Sequence, residues 1–409
     1  MAVHPEFPVK TPARVWWLCG FLFLATVLNY LDRQVLALTA ELIIDEFNLT
    51  QEELGGVIAA FRYAYAIFQI AGGWMVDFWG ARTIYPVAVG LWSMAGVLTG
   101  FSRSAGMLSG FRFMLGIGEA FNWPAALNIT RRLLPARDRA LANGIFNSGA
   151  AAGAMIAPFI VTFIAVYYGW RWAFILIGSL GALWVVGWLI FSRPFRAQLV
   201  GTGQPISSLT GVVRDILSTR SFWMLSVSAI VVNGIYYFLA DWIPLYLQTQ
   251  RGFSFAIGNA LSVLVFIGLE AGNILIGVFI KKLVGSGMSI VAARKLALLV
   301  ACLLMSSALV VGFVPYRYVA VGFLMLMGLG VASFLVIYLT LVQDVAPAHV
   351  GATAGLLGGI GNLAYGLVSP YIGRLADLGR TEYTFLIMGL LPWLAFCAVY
   401  FGVDLREEK

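Results

Sequence analysis

Charged residues are scarce in this sequence. They make up 11% of the 409 residues, whereas hydrophobic residues make up 61%. A soluble domain has about 25% charged and roughly 45–50% apolar residues. A soluble fold of this length could not bury so much apolar surface. The composition therefore excludes a soluble globular protein and predicts a chain that lies almost wholly within a lipid bilayer.

Cysteine and histidine are also rare, which excludes several kinds of chemistry. Cys19, Cys302 and Cys397 fall in apolar stretches without the spacing of metal ligands, so we expect three inert side chains. His4 and His349 lie in polar segments and cannot form a buried catalytic pair. We expect no metal and no cofactor. The sequence also offers no nucleophile–base pair and no phosphate-binding loop, so we do not expect an enzyme.

Long apolar runs are the dominant feature of the chain. A helix needs about 20 residues to cross a hydrocarbon core of roughly 30 Å, and short polar segments separate twelve such runs. We predict transmembrane helices over residues 15–38, 53–76, 83–101, 105–131, 139–166, 171–192, 221–247, 255–281, 295–314, 318–344, 350–376 and 384–403. The first run is not followed by a small-residue cleavage site, so we interpret it as a retained helix and not as a signal peptide.

The basic residues indicate the orientation of the chain. Most of the 26 lysines and arginines lie in loops on the side that holds both termini. Such loops face the cytoplasm, so we predict that both termini are cytoplasmic. The net charge of +7 is spread over many loops and does not form one patch. We therefore do not expect nucleic acid as a partner.

The chain divides into two similar halves. The longest polar interruption predicts a cytoplasmic linker over residues 193–220, between six-helix bundles at 1–192 and 221–409. Pro135, Ala140 and Gly149 recur at one constant offset as Pro347, Ala352 and Gly361. Two parallel six-helix repeats are the arrangement of the major facilitator fold, in which substrate binds at the membrane midplane between the halves. We predict this all-α, twelve-helix membrane fold.

The loop between the second and third spans supports this prediction. Residues Gly73–Arg82 resemble the Gly-x-x-x-Asp-Arg-x-Gly-Arg-Arg loop of the major facilitator superfamily, although Phe78 and Ala81 depart from its pattern. Asp77 can accept hydrogen bonds from arginines across the bundle. For Asp77 and Arg82 we therefore expect a structural and gating role, and no contact with substrate.

Charged residues inside the predicted spans are the candidates for function. Each costs about 2.5–3.5 kcal/mol at the centre of a span, which makes a functional reason for its presence the first hypothesis. They are Asp32, Arg33, Arg62, Arg112, Glu119, Asp241 and Glu270. Arg112 and Glu119 are two helical turns apart on one face, a spacing suited to lining a cavity. The alternative is an ion-pair network with a purely structural role.

Several segments of the first half resemble one family closely. Residues Arg112–Ala126 and Leu134–Ala140 are similar to the anion:cation symporters, which include bacterial hexuronate, galactonate, glucarate and phthalate transporters. Residues Asn143–Gly149 and Gly169–Phe174 resemble the hexuronate branch. The resemblance implies proton-coupled symport of an organic anion by alternating access, with a hexuronate or aldonate as the favoured substrate. The alternatives are a dicarboxylate or aromatic-acid symporter or exchanger, and a membrane sensor built on a transporter scaffold.

The resemblance also implies roles for individual residues. Asp32 and Glu119 match the family's proton-linked carboxylates. Arg33 and Arg112 match its arginines for the substrate carboxylate and for coupling, and Tyr65 matches a tyrosine on the substrate side.

Further substrate contacts are expected in both halves. Asn362 matches an asparagine that contacts sugar hydroxyls, while Arg62 and Glu270 depart from the family's usual residues. A second basic group at Arg62 would favour a doubly charged substrate. Tyr236, Tyr237 and Gln343 add hydroxyl and amide groups that suit a polyhydroxylated ligand.

The expected location and partners follow from the same resemblance. We expect a multi-pass protein of the bacterial inner membrane that acts as a monomer. Its partners would be a small organic anion, protons and the lipid bilayer.

Overall fold

The computed structural model describes residues 11–201, 209–345 and 350–403. Over these ranges the chain is helical and contains no β-strand, which confirms the predicted all-α class. The expectations for His4, Pro347 and His349 concern residues outside the described ranges. The helices are α1 (Ala13–Leu38), α2 (Ala40–Phe47), α3 (Gln51–Trp79), α4 (Ala81–Thr99), α5 (Ala105–Glu119), α6 (Asn122–Leu133), α7 (Ala136–Tyr168), α8 (Trp170–Phe191), α9 (Arg196–Leu199), α10 (Leu209–Leu217), α11 (Arg220–Thr249), α12 (Phe255–Gly285), α13 (Ile290–Met305), α14 (Ala308–Val311), α15 (Arg317–Val345), α16 (Val350–Asp377) and α17 (Thr381–Gly402).

Nine helical segments within the described ranges are long and apolar enough to cross a membrane. They are α1, α3, α7, α8, α11, α12, α13 together with α14, α15 and α17. The other three predicted spans coincide with α4, with α5 and α6 together, and with α16. Helix α4 includes Arg82 and Pro86, which reduce its apolar character.

The fourth predicted span is interrupted where the sequence suggested one helix. Helix α5 ends at Glu119 and α6 begins at Asn122. Pro124 explains the break, because proline has no backbone N–H and its ring clashes with the carbonyl of the residue four positions earlier, here Ala120. The ninth predicted span is similarly divided into α13 and α14. The short helix α2, which follows α1, was not predicted.

The chain forms two compact units. The first unit comprises Met1–Val35 and Ile67–Ile206, and the second comprises Leu36–Ala66 and Ser207–Lys409. Helices α1 and α3 therefore each contribute one part to each unit. The predicted linker at 193–220 and the predicted bundle limits stay predictions.

The sequence repeat corresponds to a repeated helix crossing. In the first unit, a Cβ built on Gly149 of α7 would lie 2.6 Å from the carbonyl oxygen of Phe23 in α1. In the second unit, a Cβ built on Gly361 of α16 would lie 3.1 Å from the carbonyl oxygen of Ala229 in α11. Since neither position has room for a larger side chain, the matched glycines allow equivalent close packing of two helices in each unit.

Candidate functional site

Four buried charged residues of the first unit lie on α1 and α5. We call Asp32, Arg33, Arg112 and Glu119 the first charge cluster. Arg33, the most exposed of the four, is 8% exposed, and Glu119 is fully buried. Because burial strengthens electrostatic interactions, the pairing of these groups is energetically important.

Arg33 and Glu119 form an ion pair at the centre of this cluster. Arg33 donates from Nε at 3.0 Å and from Nη2 at 2.7 Å to Oε2 of Glu119. Its Nη2 also lies 3.4 Å from Oδ1 of Asn29, and its guanidinium carbon lies 5.0 Å from the Tyr30 ring centre. The arginine expected to bind a substrate carboxylate is thus held by a carboxylate of the protein. Loss of one partner from such a buried pair costs about 3–5 kcal/mol.

Glu119 lies next to the break between α5 and α6. Glu119 is the last residue of α5, and Asn122 begins α6. The Tyr85 hydroxyl donates to Oδ1 of Asn122 at 2.7 Å, and Nδ2 of Asn122 donates to Oγ1 of Thr26 at 3.3 Å. These bonds attach the break to α4 and α1. Asn122 therefore has a positioning role that its polar character alone did not reveal.

Asp32 lies beside the ion pair and shares Glu119 with Arg33 as a charged neighbour. It is 3% exposed, and the charged groups that act on it are Glu119 and Arg112. A Cβ built on Gly96 of α4 would lie 3.2 Å from Oδ1 of Asp32, so the glycine provides space for this carboxylate. Adjacent helical residues point about 100° apart, so Asp32 lies against Gly96 of α4 while Arg33 pairs with Glu119.

A second charged cluster lies within the second unit, around Arg62 of α3. Its Nη2 donates to Oδ2 of Asp241 in α11 at 2.7 Å, and its Nη1 lies 3.4 Å from Oδ1 of Asn362 in α16. The guanidinium carbon lies 3.7 Å from the ring centre of Tyr237 and 5.3 Å from that of Tyr365. We call these five residues the Arg62 cluster.

Helical periodicity explains how the Arg62 cluster forms. Tyr237 and Asp241 are four residues apart on α11, and Asn362 and Tyr365 are three apart on α16, so each pair lies on one helix face. Arg62, only 1% exposed, contacts both faces. The sequence identified Asp241 as a charge inside a span but did not predict its pairing with Arg62. Because a buried charge needs a partner of opposite charge, the sequence did indicate that Arg62 requires an acidic residue nearby.

The remaining predicted substrate residues lie in varied surroundings. Tyr65 is buried against Phe61, with ring centres 5.6 Å apart, and Tyr236 packs against Tyr237 at 5.6 Å. Two others lie on α12 and α15. Oε1 of Glu270 lies 3.4 Å from Nδ2 of its neighbour Asn273, and Gln343 is exposed near the end of α15. Within the described part of the second unit, neither Glu270 nor Gln343 joins the Arg62 cluster.

Asp77 connects the end of α3 to α6. Its Oδ1 accepts from Nδ2 of Asn128 at 2.6 Å and from Nη2 of Arg131 at 3.2 Å, and Nη2 of Arg132 lies 4.0 Å away. The Asp77–Arg131 pair is largely exposed, and such pairs contribute about 0–1 kcal/mol. Arg82 is the second residue of α4, and its carbonyl oxygen accepts from Nε1 of Trp188 at 3.4 Å. The gating role of Asp77 and Arg82 stays a prediction.

Many apolar membrane helices with buried, paired charges define a polytopic membrane protein. The family profile of the Major Facilitator Superfamily matches residues 22–364. The chain belongs to this superfamily; it is a membrane transporter and not an enzyme.

Two relatives and one solved structure show how far the similarity extends. The chain is 29% identical to a hexuronate transporter of Escherichia coli (strain K12) over 402 residues, covering 94% of this chain and 91% of that protein. It is 31% identical to a hexuronate transporter of Bacillus subtilis (strain 168) over 397 residues, covering 93% and 92%. Its fold is similar to that of a bacterial homologue of the human lysosomal transporter Spinster, in an inward-facing and occupied conformation. That match has a TM-score of 0.78 and 19% identity, and covers 98% of this chain and 99% of the other.

Proposed function

We propose that this protein is a proton-coupled symporter that imports an organic anion by alternating access, with a hexuronate or aldonate as its substrate. The main support is the match to hexuronate transporters over 94% and 93% of the chain. The charged residues of both clusters lie within residues 22–364, which match the superfamily profile.

The pairing of Arg33 suggests how proton and substrate binding are coupled. A guanidinium binds carboxylates well because its planar donors can make two parallel hydrogen bonds. In the structure, two donors of Arg33 point to one oxygen of Glu119. Protonation of Glu119 would remove its negative charge and release Arg33 for the carboxylate of the substrate. Proton uptake and anion binding would then favour each other.

Asp32 is proposed as the second proton-coupling carboxylate. It interacts electrostatically with both Glu119 and Arg112, so a proton gained by either carboxylate changes the field at the other. Arg112 would attract the anion and compensate for the carboxylates in the low-dielectric interior. The charges of Asp32 and Glu119 would thus change together as substrate binds and leaves, while Arg112 stays positively charged.

Polar and aromatic residues of α3, α11 and α16 are also proposed to bind substrate. Tyr65, Tyr236, Tyr237 and Asn362 offer hydroxyl and amide groups to a polyhydroxylated ligand. The substrate contacts of Glu270 and Gln343 stay predictions.

The proposed cellular setting follows from the charge distribution. We propose a monomer in the bacterial inner membrane with both termini in the cytoplasm, because basic loops remain on the cytoplasmic side. Uptake would then proceed from the periplasm, driven by the inward proton gradient.

Transport in proteoliposomes tests the proposed function. Purified protein is reconstituted, and counterflow of labelled D-glucuronate and D-galactonate is measured without an ion gradient. An inward proton gradient is then imposed, and accumulation is expected above the equilibrium level. Accumulation that persists after the pH gradient and voltage are collapsed, but follows a sodium gradient, would refute proton coupling.

A binding screen identifies the substrate class independently. A ligand that binds only the folded protein raises its apparent thermal stability. Hexuronates, aldonates, aldarates and aromatic acids are compared at equal concentration, with uncharged hexoses as controls. Stabilisation by aromatic acids alone would favour the phthalate-like alternative.

A further inference from the structure

The charge of Arg62 is already neutralised inside the second unit. Asp241 lies 2.7 Å from its Nη2, the Tyr237 ring covers its face at 3.7 Å, and Asn362 lies 3.4 Å from its Nη1. The two charged side chains are 1% and 9% exposed, so bulk water screens their attraction little. Arg62 is therefore not an unoccupied second site for a substrate anion.

A second anionic group that approached Arg62 would meet the charge of Asp241. The two anions would repel each other and compete for the same guanidinium. Burial strengthens that repulsion because the local dielectric is low. A substrate with one carboxylate avoids the conflict, since its uncharged end can be accepted by the tyrosines and the asparagine around Arg62.

We propose that Asp241 is a specificity-determining residue that occupies Arg62 and so restricts the substrate to one anionic group. The inference rests on the proposed function, because it concerns which organic acids the same transporter accepts. It also reverses the expectation from sequence that Arg62 favours a doubly charged substrate. Specificity of this kind arises from repulsion of the wrong ligand as much as from attraction of the right one.

The competing explanation is that the pair only holds helices together. Arg62, Asp241 and Asn362 belong to three different helices, so their contacts do connect α3, α11 and α16. A purely structural pair would affect the stability of the protein when altered. It would not change the relative affinities for acids that differ by one carboxylate.

The test compares acids that differ mainly in the number of carboxylates. D-Galactonate and galactarate are open-chain acids that differ at one terminal carbon, a hydroxymethyl group in the first and a carboxylate in the second. D-Glucuronate and D-glucarate provide a second comparison. Affinities are measured by competition with labelled monoacid in counterflow, using full-length protein in proteoliposomes. For the wild type, the monoacid of each pair is expected to compete better.

The variant Asp241→Asn should shift this preference toward the diacids. It keeps a side chain of similar shape that can accept a hydrogen bond, but it leaves the charge of Arg62 available. We expect the diacid-to-monoacid affinity ratio to rise at least about tenfold. Adding Arg62→Gln to that variant should abolish the gain. The matched control Asp241→Glu keeps the negative charge and should remain within about threefold of the wild-type ratio.

Three results would overturn the inference. One is a folded Asp241→Asn protein whose diacid-to-monoacid affinity ratio stays within about threefold of the wild-type ratio. Another is a wild type that binds the diacids better than the monoacids. If Asp241→Asn does not fold, the doubly neutral variant Arg62→Gln/Asp241→Asn decides the question. The diacid-to-monoacid affinity ratio of this variant should stay near that of the wild type. A fall of more than about tenfold would mean that Arg62 already binds a second carboxylate in the wild type.

Failure of the proposed function looks different from failure of the inference. If no hexuronate or aldonate binds the wild type, the proposed function is wrong and the inference falls with it. If monoacids bind and are transported but the ratio does not respond to Asp241, only the inference is wrong.

Discussion

Replacement of Glu119 by glutamine tests the coupling mechanism at its centre. The substitution keeps the size of the side chain and an oxygen that can accept from Arg33, but it fixes the position in an uncharged state. Because the wild-type oxygen accepts two Arg33 donors at 3.0 and 2.7 Å, we expect the glutamine to retain part of that contact. A coupling carboxylate so altered should lose concentrative uptake and keep counterflow, since exchange requires no net movement of protons.

The expected loss of stability can be bounded from the structure. Complete removal of the carboxylate by Glu119→Ala would leave the buried Arg33 without its anionic partner, at a cost of about 3–5 kcal/mol. Glu119→Gln also removes the anionic partner, but its amide oxygen can still accept from Arg33, so we expect a smaller loss than for the alanine variant. Unfolding temperatures of the two variants should therefore differ, with the glutamine variant nearer to the wild type.

The assay pairs folding with transport in one preparation. Folded yield is measured by size-exclusion chromatography, and gradient-driven uptake is compared with counterflow in the same vesicles. Asp344→Asn is the matched control, because Asp344 also pairs with an arginine, Arg294, but its side chain is 46% exposed. The control should keep concentrative uptake. Full concentrative uptake by Glu119→Gln would refute the proposed role of Glu119.

Three further variants test neighbouring parts of the site. Arg33→Lys keeps the charge but loses the planar paired donors, so affinity for the substrate should fall about tenfold in competition assays. Unaltered affinity would show that Arg33 does not bind the substrate. Gly96→Ala places a methyl group 3.2 Å from Oδ1 of Asp32, so it should slow transport and reduce stability by about 1–3 kcal/mol. The control Gly90→Ala, on the same helix, meets no atom within 4 Å and should be neutral or slightly stabilising. Equal behaviour of the two variants would contradict the packing argument. Asp32→Asn should lose gradient-driven accumulation while retaining counterflow, and normal accumulation would restrict coupling to Glu119.

Much of the fold was predictable because lipid solvation imposes simple rules. A helix must be long and apolar to cross a bilayer, so the ends of α1, α3, α8 and α17 fall within a few residues of the predicted spans. The break between α5 and α6 was missed although its cause, Pro124, is visible in the sequence. Proline is tolerated in membrane helices when neighbouring groups satisfy the backbone, and that depends on tertiary contacts.

The charged residues of the two clusters could be identified from the sequence, but their pairings could not. The cost of burial singled out Asp32, Arg33 and Glu119 as charges inside spans. Which carboxylate neutralises Arg33 depends on how α1 packs against α5, and no local pattern specifies this. The partner of Arg62 is 179 residues away in the chain, so their pairing emerges only from the tertiary structure.

Proton movement driven by substrate alone tests the central claim most directly. Proteoliposomes with a pH-sensitive dye inside are prepared without an ion gradient, and a hexuronate or aldonate that the wild type binds is added outside. Proton-coupled symport predicts that the interior acidifies as substrate enters. It also predicts that Glu119→Gln vesicles preloaded with the same substrate exchange it without acidification. Entry of substrate into wild-type vesicles with no change of internal pH, in the presence of a pathway for charge compensation, would contradict the proposed mechanism.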